Sequence, residues 1–121
     1  MSNEIELNGI KYIPKSEANV KLAQNTEGLD YVIIRANRAG VFAGYLLEDN
    51  NESVILVDCR RIWYWEGAAS ISQLAIDGVS APDECKFPDA VSKIKIMGVI
   101  ENLICTEKAM NSIKGVGIWK Q

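Results

Sequence analysis

A chain of 121 residues, 48% hydrophobic and 24% charged, has the length for one modest core and the composition of a folded domain. It contains no histidine, which excludes Ser-His-Asp and Cys-His relays and an HExxH zinc site. A net charge of -3 argues against a broad electrostatic grip on duplex nucleic acid.

The first segment, Glu4 to Pro14, predicts a small β-hairpin. Ile5 and Leu7 alternate with charge, Asn8-Gly9 is a preferred two-residue turn, and Ile10 and Tyr12 alternate again. Residues 15–28 are polar, and Ser16 either caps a short helix through Leu22 or begins a flexible linker. Residues 1–28 therefore read as an arm and linker, and 29–121 as a single β-core domain.

Tyr31–Arg35 and Val41–Leu47 read as two strands joined by a turn at Asn37-Arg38-Ala39-Gly40. A polar turn over 48–52 leads to a third and longest strand, Ser53–Trp65, completing an antiparallel meander. Ile71, Leu74 and Ala75 fall at helical spacing, so Ser70–Asp77 is expected to be a two-turn helix stopped by Gly78. Residues 79–90, with Pro82 and Pro88, are expected to form a loop. Lys93–Ile104 reads as a fourth strand with a bulge at Gly98. Thr106 caps a last helix, Glu107 to Ile113, ended by Gly115. The expected class is α+β: a small antiparallel β-core, meander plus fourth strand, with two short helices and an N-terminal hairpin arm.

Cys59, Cys85 and Cys105 are odd in number and none lies in a CxxC pair. Neither a disulfide framework nor a metal site is expected, and a reducing cytoplasm is the natural compartment. No apolar run approaches the roughly 18 residues of a spanning helix, so no membrane partner is expected. Residues 1–59 hold five Lys/Arg against nine Asp/Glu, and 60–121 hold eight against seven. An anion would have to be met locally, near Arg60 and Arg61.

In a regular strand Ile55, Val57, Cys59, Arg61, Trp63 and Trp65 share one face, and Leu56, Asp58, Arg60, Ile62 and Tyr64 the other. Arg61 then falls among apolar and aromatic groups, while Arg60 has Asp58 for a partner. One reading is a planar cation for phosphate beside flat rings for a base. The other is a core tryptophan pair with a structural Arg–carboxylate bridge. Gly40 and Phe42 either let backbone amides approach a ligand or serve turn and packing. Ser70 and Gln73 mark a helix start that either meets an anion or only caps the helix. Phe87 either stacks on a base or anchors its loop. Trp119 either tacks the tail down or closes over a ligand. No acid–base pair stands out, so a binder rather than an enzyme is expected, with no cofactor.

The strings YVIIRANRAGVFAGYL, RRIWYWEGAASISQLA, ECKFPDAV and IKGVGIWK resemble a small phage family, the first Thoeris anti-defence family. These are sponges that sequester cyclic ADP-ribose-type immune signals. The resemblance runs from about Tyr31 to Lys120. It implies a β-core with two helices, a homo-oligomer (a dimer or a hexamer), and a glycocyclic ADP-ribose signal bound intact in the host bacterial cytoplasm. It also implies a separate site for cyclic oligonucleotides. A phage interaction module with an aromatic binding patch is the alternative.

Overall fold

A computed structural model describes residues 5–7, 10–12 and 21–120. Strand β1 (Ile5–Leu7) pairs antiparallel with β2 (Ile10–Tyr12), as the hairpin pattern predicts. The question of helix or linker over 15–20 lies outside the described residues.

The remaining strands are β3 (Tyr31–Ala36), β4 (Gly40–Asp49), β5 (Ser53–Arg61), β6 (Val91–Met97) and β7 (Val99–Ile104). They form one antiparallel sheet in the order β6-β5-β4-β3-β7. The predicted meander is β3-β4-β5. Its longest member is β4, with 10 residues, because β5 stops at Arg61 rather than at Trp65. Helix α1 (Ile71–Asp77) is capped by Ser70 and stopped by Gly78. Helix α2 (Glu107–Lys114) is capped by Thr106 and stopped by Gly115. A short 3-10 turn, Pro82–Glu84, interrupts the predicted loop. Together these make the expected small α+β fold.

The predicted fourth strand is two strands. Its first half pairs with β5 and its second with β3, on opposite edges of the sheet. A single residue, Gly98, lies between them, at φ 74. Two residues apart, Cα atoms span at most about 7 Å. A flat five-stranded sheet would separate its edge strands by about 19 Å. The sheet must therefore curl until its edges converge at Gly98. Backbone bonds fix the convergence: Asn37 N–H donates to the Gly98 carbonyl (2.7 Å) and Val99 N–H to the Glu52 carbonyl (3.0 Å).

The curl divides the core in two. Val32, Ile34, Ala36, Phe42, Val54, Leu56, Cys59 and Ile96 fill the concave side and come from strands alone. Tyr31, Ile33, Ala43 and Tyr45 face the other way, against Leu74 and Ala75 of α1 and Ala109 and Ile113 of α2. The helices pack closely: a Cβ on Gly78 would lie 2.3 Å from that of Ser112.

Strand β5 departs from alternation at one place. Val57 pairs with Tyr45 and Arg60 with Ala43, so Asp58 and Cys59 together oppose Gly44. This is a β-bulge. Asp58 occupies the left-handed region at φ 50, which Asp tolerates better than most residues. The extra residue reverses the faces. Cys59 and Arg61 join Val54 and Leu56 on the concave side, and Arg60 turns toward the helices.

Candidate functional site

Arg60 and Arg61 illustrate what the bulge does. Arg60 is 6% exposed and has no carboxylate bonded to it among the described residues. All its donor nitrogens reach backbone carbonyls instead. Nε donates to Pro88 (3.0 Å), Nη1 to Ile113 (3.0 Å) and Val116 (2.6 Å), and Nη2 to Phe87 (2.7 Å) and Gly117 (3.2 Å). Five bonds saturate the five N–H groups of a guanidinium. The guanidinium also lies 5.5 Å from the Phe87 ring centroid. Burial lowers its pKa, opposed by Tyr31, Asp89 and Asp58; arginine starts high enough to stay charged. Arg60 thus ties β5 to the Phe87–Pro88 loop and to the chain leaving α2. It has no donor left for a ligand. Asp58, the partner the alternation pattern gave it, pairs with Lys114 instead (3.7 Å).

Arg61 is exposed. Its guanidinium stacks 4.5 Å from the Phe42 ring centroid and donates through Nη1 to the Ala39 carbonyl (2.7 Å). That bond takes one of the five N–H groups of the guanidinium, so the outer edge remains open to a partner. Arg61 and Phe42 form the wall of a groove of about 450 Å³ between the β3–β4 turn and β6. Arg38 and Lys95 also line it, with Ile94, Ile96 and Met97 as its apolar floor. No acid is among its lining residues. A smaller recess beyond Arg61 continues it past Cys59 and Val91 to Asp89. The arrangement suits a ligand with a negative charge and a flat or apolar body.

The other residues singled out in the sequence lie elsewhere. Gly40 starts β4 at φ 103, the left-handed geometry that its turn requires. Phe87 is fully buried, so it anchors its loop. Trp63 is 65% exposed and lies outside the groove lining. Trp65 is half-buried, and its indole N–H donates to the Ala68 carbonyl (3.2 Å). Ser70 and Gln73 satisfy the start of α1 locally: Gln73 N–H donates to Ser70 Oγ (3.2 Å) and Ala69 N–H to Gln73 Oε1 (2.8 Å). Trp119 is half-buried, and its backbone N–H donates to the Phe87 carbonyl (3.0 Å), which ties the tail to the Phe87 loop. Lys86 stands between it and Tyr64, 5.8 and 5.9 Å from the two ring centroids. Tyr64 hydroxyl in turn bonds Glu66, which raises the Tyr64 pKa.

Arg38 and Lys95 were not legible as site residues. Arg38 reads as turn punctuation, and Lys95 as the polar half of a strand. The three cysteines are buried. Burial pushes the Cys59 and Cys105 thiols up to about 12, the opposite of an activated nucleophile. Among the described residues no group of His, Cys, Asp and Glu has the makings of a metal site. No described helix is long and apolar enough to cross a membrane.

No curated protein and no solved structure matches the chain. Residues 29–113, which take in the five-stranded sheet, α1, α2 as far as Ile113 and the whole Arg61 groove, match the family described as Domain of unknown function (DUF6948), and the chain belongs to that family.

Proposed function

We propose that the protein is a non-enzymatic sponge that holds a cyclic nucleotide signal of the glycocyclic ADP-ribose class in the Arg61 groove. The observation that carries this reading is the groove lining: three cations, Arg38, Arg61 and Lys95, with no acid, around an aromatic ring. Phosphates meet the guanidinium groups, and the base or ribose lies on the aliphatic floor. The phage anti-defence resemblance supplies the signal class. On this reading the protein acts in the host bacterial cytoplasm as a homo-oligomer. Thermal shift against cyclic ADP-ribose isomers and cyclic di- and trinucleotides tests it. A ligand at 100 times its dissociation constant adds about 2.7 kcal/mol. The bound ligand must come back chemically unchanged after heat denaturation; recovery of a product makes the protein an enzyme instead.

The exposed Trp63 and Tyr64, 65% and 44% exposed, favour a second reading as a protein-interaction module. Such a module ignores every nucleotide in the panel and loses its partner on Trp63→Ala.

A further inference from the structure

Two strands end the five-stranded sheet, β6 on one side and β7 on the other. Their edges are defended differently. Strand β6 carries Lys93 and Lys95, both exposed, and no acid. Lysines of this kind repel a second copy of the same strand and are a common guard of sheet edges. Strand β7 has the sequence VIENLI, with no lysine and no proline. Its one charge, Glu101, is tied to Arg35 (2.5 Å). Ile100 and Ile104 are 52% and 48% exposed, and Asn102 between them is exposed as well.

The backbone of β7 is ready for another strand. Cys105 N–H donates to the Tyr31 carbonyl, and residues 101–104 pair in register with residues 35–32 of β3. Along an antiparallel strand, successive residues turn their N–H and C=O groups to opposite sides. The groups of Glu101 and Leu103 therefore point toward β3 with those of Cys105. The groups of Asn102 and Ile104 point away from it, to the side where no described strand lies. The side chains fix what fits there. The exposed positions of β7 read Ile-x-Asn-x-Ile, the same in both directions. A two-fold interface needs one patch that complements itself. An axis through Asn102 sets Ile100 opposite Ile104 of the second copy, and the two Asn102 residues opposite each other. Glu101 then faces Leu103 of the second copy, so like charges do not meet. An axis through Glu101 would instead bring two carboxylates together. We propose that the β7 edge joins two copies of this chain in a symmetric antiparallel pair centred on Asn102, so that two five-stranded sheets become one of ten strands. This assigns a strand, an axis and a register to the assembly, and it rests on the edge alone, whether or not the Arg61 groove takes a nucleotide.

A six-residue edge is small beside a standard interface, so the dimer is expected at the weak end of the affinity range. The test is sedimentation velocity on the full chain without nucleotide, over about a hundredfold range of concentration ending near 0.5 mM. Reversible exchange between monomer and dimer is expected for the wild type. Asn102→Lys and Asn102→Asp each set two like charges across the axis, at an exposed position that the fold tolerates. Each is expected to weaken the dimer at least about tenfold. Mixed in equal amounts, the two variants are expected to recover it, because lysine then faces aspartate. Such rescue between two substitutions of one residue arises only where that residue meets its own copy, and it also shows that both variants are folded. A wild type that stays monomeric throughout, either variant dimerising as well as wild type, or a mixture no more associated than its parts overturns the inference. So does a dimer lost in Lys93→Glu and kept in both Asn102 variants, which moves the contact to β6.

Discussion

Gly44 lies so close to Cys59 that a Cβ added to it would stand 2.9 Å from both the Cα and the Cβ of Cys59. The bulge in β5 needs that contact, and the bulge decides which arginine is buried. Gly44→Ala must push backbone against backbone, since Cys59 Cα cannot move aside alone. A loss of about 1–3 kcal/mol is expected, read from the urea midpoint. An unchanged midpoint would mean that β4 and β5 slide apart freely at this point.

Arg60 is expected to be the most sensitive polar residue of the chain. Arg60→Ala strands carbonyls of the Phe87–Pro88 loop and of the segment after α2. Removing a fully engaged buried cation typically costs about 3–5 kcal/mol, a large part of a small domain's total. Arg60→Lys restores the charge but has three donors for five acceptors. It should fall between wild type and alanine in melting temperature. A lysine variant as stable as wild type would show that charge alone, not the five-way pattern, matters.

Arg61 behaves oppositely. Its stacking on Phe42 is exposed, so Arg61→Ala should change stability by about 0.5–1 kcal/mol at most. On the proposed function, affinity for a cyclic nucleotide is expected to fall by the equivalent of about 2–5 kcal/mol, roughly 30-fold or more. Calorimetry on the two arginine variants side by side separates the roles. Full affinity in Arg61→Ala removes the groove from consideration.

Alkaline pH is expected to unfold the protein through its thiols. Cys59 and Cys105 titrate near 9 when unfolded and are held up to about 12 by burial in the native state. Between those values the native state keeps protons that the unfolded state releases. Stability is therefore intact below about pH 9 and falls as pH rises toward 12, by about 1.4 kcal/mol per pH unit for each thiol. Cys59→Ser and Cys105→Ser lose packing but should flatten this slope when melting temperature is followed against pH. An unaltered slope in both would assign the alkaline loss to Tyr31, whose hydroxyl burial also keeps protonated.

Much of this fold is legible because its signals are local. Ser70 with Gly78 and Thr106 with Gly115 bracket both helices, since cap chemistry depends on neighbours three or four residues away. Strands β3 and β4 follow from their apolar runs. Gly98 is visible as a break, but not that the chain changes edges there, because partner choice is set by residues more than thirty positions away. The faces of β5 are misread for the same reason: the bulge at Asp58 depends on Gly44 in another strand. Phe42 and Arg61 are legible as candidates, yet their contact needs that shifted register. Arg60 was expected to pair with Asp58, and nothing in its own strand reveals five carbonyls waiting from residues 87–117.

Gly98 also sets the order in which the sheet can be finished during synthesis. The meander β3-β4-β5 leaves the ribosome first, with the outer edges of β3 and β5 both open. Residues 91–104 then cover both edges with one segment, the two halves swinging to opposite sides of the same glycine. Contacts such as Arg35 with Glu101 close across 66 residues, and non-local pairing of this kind slows folding toward the millisecond-to-second range. Until that segment emerges, the nascent sheet exposes two templates for pairing with other chains. A stop before Val91 leaves both edges bare together, whereas a stop at Gly98 leaves only the β3 edge uncovered.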